Sequence, residues 1–569
     1  MHSIFQTTLV ALSLLFLLSC GGSENMADLV VQNANIYTVN KSSPTAQALA
    51  VKDGRIIFAG SDADAKAYIG PETAVMDAGG QFLMPGFMEG HGHIHGLGSS
   101  LENLNLTKTQ SFDEIVVMVK EAVSKAQPGE WIVGRGWHQE KWTTTPAENY
   151  LGYPYHDALS AISPENPVVL THASGHSVYV NSKALALARI DGSTPNPTGG
   201  DIVKDKTGRL TGALEEKAMD PVFAAMATSS AGAPEEGNKT IWWRQFQLAE
   251  EDCLKKGITS FADAGSSFLL LEWMREKAKS GDLKLRHWVM IRTGPANMEK
   301  NLSTFPVLNE GNGHLTCNAI KVSLDGALGS YGAWLLEPYS DRSGFYGQNT
   351  FNIDSLKAIA QLCWDKNIQL CVHCIGDRAN REIVDIYEEQ IRKNPSQDHR
   401  WRVEHAQHLH PSEVARFAQN KIIASMQGVH CTSDAPYVLK RLGAERAENG
   451  AYIWRSFIDA GVLVNNGTDV PVEDQDPIPN FYSSVTRKLP DGSAFYPQQK
   501  MNREEAIYSY TLANAIAQKQ EKDLGSLEVG KYADFIILSN DLLKCSDEEI
   551  LATRVLKTFV GGKSKYSAE

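Results

Sequence analysis

From about residue 84 to residue 510 the chain repeats one pattern, a short apolar run followed by a longer stretch with helical spacing. The runs include ITSFADAG, LKLRHWVMIR, NAIKVSLDG, IQLCVHCIG, RVEHAQ, IIASMQ and VLVNNGTD. Between them, DSLKAIAQLCWDK and REIVDIYEEQIRK carry apolar residues at i, i+3 and i+4, the period of an amphipathic helix. A strand with one wet face alternates apolar and polar residues, whereas these runs do not, so both of their faces must be covered. A parallel sheet flanked by helices meets that condition. Counting LMPGFMEGHGH as the first run gives eight strands, and the expectation is an α/β fold of the (β/α)8 TIM-type barrel class.

Three regions break the repeat. DLVVQNANIYTVN alternates, and AQALAVKDGRIIFAG places Asp53-Gly54 between two apolar runs, which is a hairpin signal. GSLEVGKYADFIILSND and RVLKTFVGGKSKY, with Gly561-Gly562 as the turn, have the same character at the far end. Residues 27–83 plus 520–569 are therefore expected to build one small composite β-sandwich, leaving 84–519 to the barrel. Residues from about 105 to 240, rich in Trp and Gly, fit neither pattern and are expected to form an insertion over the barrel mouth.

The N-terminus differs again. Ile4 to Leu18 is nearly all apolar, too short to span a bilayer and of the length of a secretory core segment. It ends in Leu17-Leu18-Ser19-Cys20 and resembles the bacterial lipobox, although the preceding MHS carries no Lys or Arg. The resemblance implies removal of the signal segment (residues 1–20, ending at Cys20), lipidation of Cys20 and, with no Asp after it, attachment to the outer membrane facing the periplasm. The alternative is an ordinary cleaved signal with an incidental Cys.

A net charge of −13 and the absence of any basic run argue against nucleic acid and against direct contact with an anionic membrane surface. The expected partner is a small-molecule substrate, with membrane contact only through the lipid anchor and homo-oligomerisation left open. Apart from Cys20 there are seven cysteines, an odd number without regular spacing, so no disulfide framework is expected.

Barrel enzymes carry their reactive groups at the C-terminal ends of the strands. Here those ends hold His91 and His93 (first run), Lys321 (fourth), His373 (fifth), His405 (sixth) and Asp469 (eighth). A lone histidine of this kind is more often a satisfied core residue; the shared strand-end position is what lifts the set. In GHGHIHGLG the histidines 91, 93 and 95 alternate, and extended backbone would put all three on one face. On the substrate side, Trp137, His138 and Trp142 in GRGWHQEKW form either an aromatic wall or plain packing. His172 and His176 stand in HASGHSVYVNSKAL, His430 and Asp434 follow the seventh run, and Arg487 follows the eighth. Asp325 and Asp377-Arg378 either hold loops or bind polar substrate groups.

PGFMEGHGH, IKVSLDGALGSYGAWLLEPYSD, VHCIGDRAN, RVEHAQ, NNGTDVPVEDQDP and the closing GSLEVGKYADFIIL together resemble the motifs of the amidohydrolase superfamily. More narrowly, they resemble amidohydrolase family 3, the group that includes N-substituted formamide deformylase, over almost the whole mature chain. The resemblance implies a barrel with a composite β-sandwich and a divalent metal site. Carried over residue by residue, it implies that His91, His93 and Asp469 bind one metal, His373 and His405 a second, and N-carboxylated Lys321 bridges them. Two Zn2+ suit imidazole and carboxylate ligands, with Mn2+ or Fe2+ open. Metal-activated hydroxide would attack, with Asp469 as general acid/base. His95 then becomes a rim residue able to touch substrate, and His176 leads the substrate-side candidates, with Trp137, His430 and Asp325 behind it. Superfamily deaminases use one metal and a His-x-x-Glu element, whereas here His373 is followed by Cys374, Ile375, Gly376 and Asp377. That favours hydrolysis of an amide-like C–N bond in an N-acyl or N-formyl compound. The alternatives are a single-metal amidohydrolase acting on an ester, lactone or cyclic amide, and a catalytically silent ligand-binding lipoprotein.

Overall fold

The computed structural model describes residues 26–229 and 235–568; the expected signal segment and Cys20 lie outside the described residues. Its centre is a barrel of eight parallel strands, β1 (Phe87–Gly92), β2 (Ile258–Ser266), β3 (Arg286–Ile291), β4 (Leu315–Ser323), β5 (Gln369–Cys374), β6 (Arg402–His405), β7 (Ile423–Gln427) and β8 (Val464–Gly467). Each pairs with the next in chain order. Six of them, β1, β3, β5, β6, β7 and β8, are buried at every position, the condition that removes polar alternation.

The first and last strands meet at a seam that is not a regular ladder. Asn514, on the later helix Leu512–Ala517, donates from Nδ2 to Met88 O (2.7 Å) and Asn466 O (2.9 Å), and its Oδ1 accepts from Asn465 Nδ2 (2.8 Å). Just past the strands, Asp469 N donates to His91 O and His93 N to Val470 O, both at 2.7 Å. Two glycines permit this approach: a Cβ on Gly90 would lie 2.3 Å from Asn466 O, and one on Gly467 would lie 2.2 Å from Glu89 Oε1.

The expected first run divides at Gly86. Phe82–Pro85 pairs antiparallel with Phe535–Leu538 and parallel with Asn35–Tyr37, and only Phe87–Gly92 enters the barrel. Both halves are apolar, so composition does not mark the division. Phe82–Pro85 thus belongs to a six-stranded sheet drawn from both termini, which stacks on a four-stranded sheet through Val31, Leu49, Leu83, Phe535 and Phe559. The hairpin turn at Asp53 (φ 49°) and Gly54 (φ 77°) has the two positive φ values of a primed turn.

The insertion is a six-stranded sheet whose strands run from Leu104–Asn105 to Leu210–Glu216, so it ends earlier than the expected residue 240. The helix Glu235–Lys255 instead packs on the barrel, where Trp242, Phe246 and Cys253 join the main core. Among the described residues, no helix is long and apolar enough to cross a membrane.

Within the insertion, the buried Glu215 carboxyl accepts the Tyr153 hydroxyl at 2.8 Å. Burial, reinforced by Asp201, pushes its pKa up to about 8. A raised acid favours its neutral form, so its stabilisation is complete below about 4.5, the unfolded value, and is lost as pH climbs through about 8. Glu215→Gln, which keeps an acceptor for Tyr153, is therefore expected to melt well above wild type at pH 9 and to converge with it by pH 5. A melting difference that does not change with pH would contradict this assignment.

Candidate metal centre

The strand ends bring six chemistry-bearing side chains to one place. His91, at the end of β1, pairs through Nδ1 with the Glu404 carboxylate, and Arg402 grips that carboxylate with Nε (2.7 Å) and Nη2 (2.8 Å). All three residues are buried. A carboxylate acceptor fixes the proton on Nδ1 and leaves Nε2 with its lone pair aimed into the site. His91 Nε2 lies 3.2 Å from Lys321 Nζ on β4 and 3.6 Å from Asp469 Oδ1. His93 Nε2 approaches the same Asp469 oxygen to 3.2 Å.

His405 and Asp469 both adopt left-handed backbone, with φ of 72° and 60°. In a regular strand Glu404 and His405 would face opposite ways; the turn at His405 lets both serve one site. Gln427 Oε1 holds His405 Nδ1 at 2.8 Å. The His405 ring lies 4.7 Å from that of His91 and 4.4 Å from that of His373 on β5. One donor atom each from His91, His405 and Asp469 lies within 4.8 Å of the others.

Burial and the Lys321 ammonium push His91 down to about 4, and burial brings Lys321 down to about 8. Burial opposes ionisation of Asp469, but the imidazoles of His93, His405 and His91 outweigh it and hold the carboxyl well below its usual range. Asp469 Oδ1, 3.2 Å from His93 Nε2, and His373 Nε2, 3.6 Å from Asp325 Oδ1, are both buried without a well-formed hydrogen bond. An unsatisfied buried polar atom costs about 1–3 kcal/mol, and a cation at this point would relieve both. Neutral imidazoles with an ionised carboxylate form the donor set of a divalent metal, so the residues present fit one.

Above the centre lies a cavity of about 600 Å3 whose lining includes His93, His176, Lys321, His373, His405 and Asp469. His176 descends from the insertion with Nδ1 3.0 Å from both Glu216 oxygens, its ring 5.1 Å from that of His373. A narrower polar arm runs beside it past His430, Asp434, Tyr437 and Glu473. His430 stacks parallel to His405 (6.5 Å, 11°), and its Nε2 is buried without a partner.

The profile of the amidohydrolase family matches residues 74–566. The chain belongs to the amidohydrolase family. This amidohydrolase is 32% identical over 555 residues to "Protein LONG AFTER FAR-RED 3" of Arabidopsis thaliana, covering 95% of this chain and 92% of that protein. It is 26% identical over 562 residues to N-substituted formamide deformylase of Arthrobacter pascens, covering 95% and 98%. Its fold is shared with an uncharacterized metal-dependent hydrolase of Pyrococcus horikoshii OT3, at a TM-score of 0.73 and 24% identity, covering 91% of this chain and 99% of that one. As a member of its family it is a metal-dependent hydrolase.

Several substrate-side expectations are corrected by the structure of the amidohydrolase. Trp137 is 1% exposed, donates from Nε1 to Leu170 O (2.8 Å) and packs with Tyr153 and Tyr179, so it is insertion core and no substrate wall. His95 sits on the helix Ile94–Ser100, is exposed, and does not line the cavity; helical rotation replaces the strand alternation that would have kept it beside His93. Asp325 is fully buried and accepts from Trp334 N (2.9 Å), Ile375 N (3.0 Å) and Gly376 N (2.8 Å), which makes it a loop anchor beneath His373 and not a substrate ligand. Arg487, buried with Nε on Phe495 O, is another loop anchor.

Sequence reasoning missed Glu404, Gln427 and Glu216. Arg402 and Glu404 stand two apart in RVEH, a same-face charged pair in a strand expected to be covered on both faces, and that was the available signal. Partners of metal-bound histidines typically contribute 10–100-fold in metal affinity. Glu404→Gln is accordingly expected to weaken Zn2+ binding by about 10–100-fold in competition with a chelator. An unchanged affinity would mean that His91 is oriented by the barrel alone.

Proposed function

We propose that this amidohydrolase cleaves the C–N bond of a small N-acyl or N-formyl compound, with two Zn2+ ions held by His91, His93, Lys321, His373, His405 and Asp469. Mn2+ or Fe2+ would satisfy the same donors. The observation that carries the reading is the convergence of these six residues from five strand ends, five of them lining one cavity and His91 buried beside them, with Asp469 Oδ1 and His373 Nε2 short of a well-formed hydrogen bond. Bound metal supplies an acidified water and a Lewis-acid contact for the carbonyl. Lys321 enters as its carbamate, since burial favours the free amine that adds CO2 and an ammonium is no ligand. Asp469, through Oδ1, takes the proton of the attacking water and delivers it to the leaving nitrogen. His176, steadied by Glu216, and His430, through its free Nε2, orient the substrate from the insertion side and from the β7 side.

A second reading has a specific observation behind it. The close trio of His91, His405 and Asp469 would hold a single metal with Lys321 unmodified, and the substrate would then be an ester, lactone or cyclic amide. Screening the metal-reconstituted protein against N-formyl, N-acyl, ester and lactone substrates, alongside metal analysis, separates the two. Amide turnover with two metals per chain is expected; ester or lactone turnover alone, with one metal, would replace the first reading by the second.

A further inference from the structure

Two arginines line the cavity over the metal centre without an acidic partner. Arg292 follows directly on β3, at the mouth end of the barrel, and is solvent-exposed into the cavity. Its side chain donates to Ser323 Oγ through Nη2, which leaves the rest of the guanidinium unused. Arg135, from the insertion strand Ile132–Trp137, faces the same space and donates to Pro471 O (3.1 Å) and Ala173 O (3.0 Å), with Nη1 left over. Neither guanidinium makes a direct ion pair with a carboxylate among the described residues; Glu216 and Asp469 act on Arg292, and Asp469 on Arg135, only through space.

Their neighbours do not neutralise them. Of the acidic residues on the cavity wall, Glu216 is engaged by His176, and Asp469 belongs to the histidine cluster. Asp220 and Lys217 both stand exposed on the cavity wall. The cavity is thus positive on the β3 side before any metal is counted. Unpaired arginines beside a reaction centre are costly to desolvate unless an anion completes them, and a guanidinium fork matches a carboxylate in shape as well as charge. Met219 and Phe351 add an apolar wall beside the arginines, suited to a short side chain.

We propose that Arg292, assisted by Arg135, binds a carboxylate on the substrate, so that the substrate is an amide bearing an acid group, of which N-formyl and N-acyl amino acids are the simplest members. This rests on the reading of the centre as an amide hydrolase. It also adds something that reading lacks, a reason for the chain to reject neutral amides. Arg292 is a binding residue here and takes no part in the proton transfers at Asp469.

The test compares N-formyl-alanine with N-formyl-alaninamide, which differ in the charge of one group. Metal-loaded wild-type protein is expected to favour the acid in kcat/KM by about 10- to 100-fold, the worth of one charge-assisted hydrogen bond. R292Q should bring that ratio close to one, mostly through KM for the acid. R292K, which keeps the charge and loses the fork, should give an intermediate ratio and settles the matter if R292Q folds poorly. A ratio unchanged in both variants, or a wild type that favours the neutral amide, overturns the carboxylate site and leaves the amide-hydrolase reading standing. If neither compound is turned over, calorimetry with the same pair decides. Preferential binding of the acid that R292Q abolishes supports the site while discarding the amide chemistry; equal binding of both discards the site as well.

Discussion

Replacing Lys321 by Ala should lower kcat/KM by roughly 1,000-fold or more, a loss of several kcal/mol of the kind attributed to metal-held charge stabilisation. Lys321 is 2% exposed, its Nζ is 3.2 Å from His91 Nε2, and burial draws its pKa down to about 8. Such an amine has no hydrophobic reason to be in the barrel and little solvation there. A carbamate would convert it into the bidentate anion that two cations share. Metal content should fall from two per chain towards one or none, and a short carboxylic acid such as propionate, diffusing into the vacated volume, should restore part of both metal content and rate. The rescue is the discriminating result, because a merely structural lysine would not be replaced by an acid. If Lys321→Ala retains two metals and the wild-type rate, the carbamate assignment fails.

Asp469→Asn should cost about 100- to 10,000-fold in kcat, the usual range for removing a general acid–base group. The substitution is close to isosteric, and Asn tolerates the left-handed backbone that Asp469 adopts, so the fold and its melting temperature should be little changed. What disappears is the charge that His93, His91 and His405 surround, and with it the ability of Oδ1 to hold a proton between attack and departure. Pre-steady-state measurement should place the loss in the chemical step. An effect confined to KM would make Asp469 a binding residue instead.

The barrel was legible because its strands are buried on both faces, and burial erases the alternation that composition would otherwise show. The candidate donors were picked out by a different rule, that barrel enzymes carry reactive groups at strand ends. What stayed hidden depended on local backbone. Nothing in GHGHIHGLG says that extended geometry stops at His93 and that a helix begins at Ile94, so His95 could not be separated from its neighbours by spacing. Glu404 and His405 look like opposite-facing strand residues until the left-handed turn at His405 is seen. Trp137 and Asp325 stayed open between two roles because an aromatic or a carboxyl near a barrel mouth looks the same whether it faces substrate or the protein's own loops. Arg292 closes the run LKLRHWVMIR and reads as an ordinary end to a strand; only the lack of a carboxylate beside it draws notice.

The seam between β1 and β8 has a consequence for how this enzyme comes into being. His91 lies on the first barrel strand and Asp469 just beyond the last, and the clasp that ties those strands is Asn514, on a helix made after both. A nascent chain therefore carries every candidate donor well before it carries the part that holds them in register. A chain ending at residue 510 would possess all six candidate donors and still be expected to bind metal poorly, because assembly of the centre waits for the helix Leu512–Ala517 to arrive.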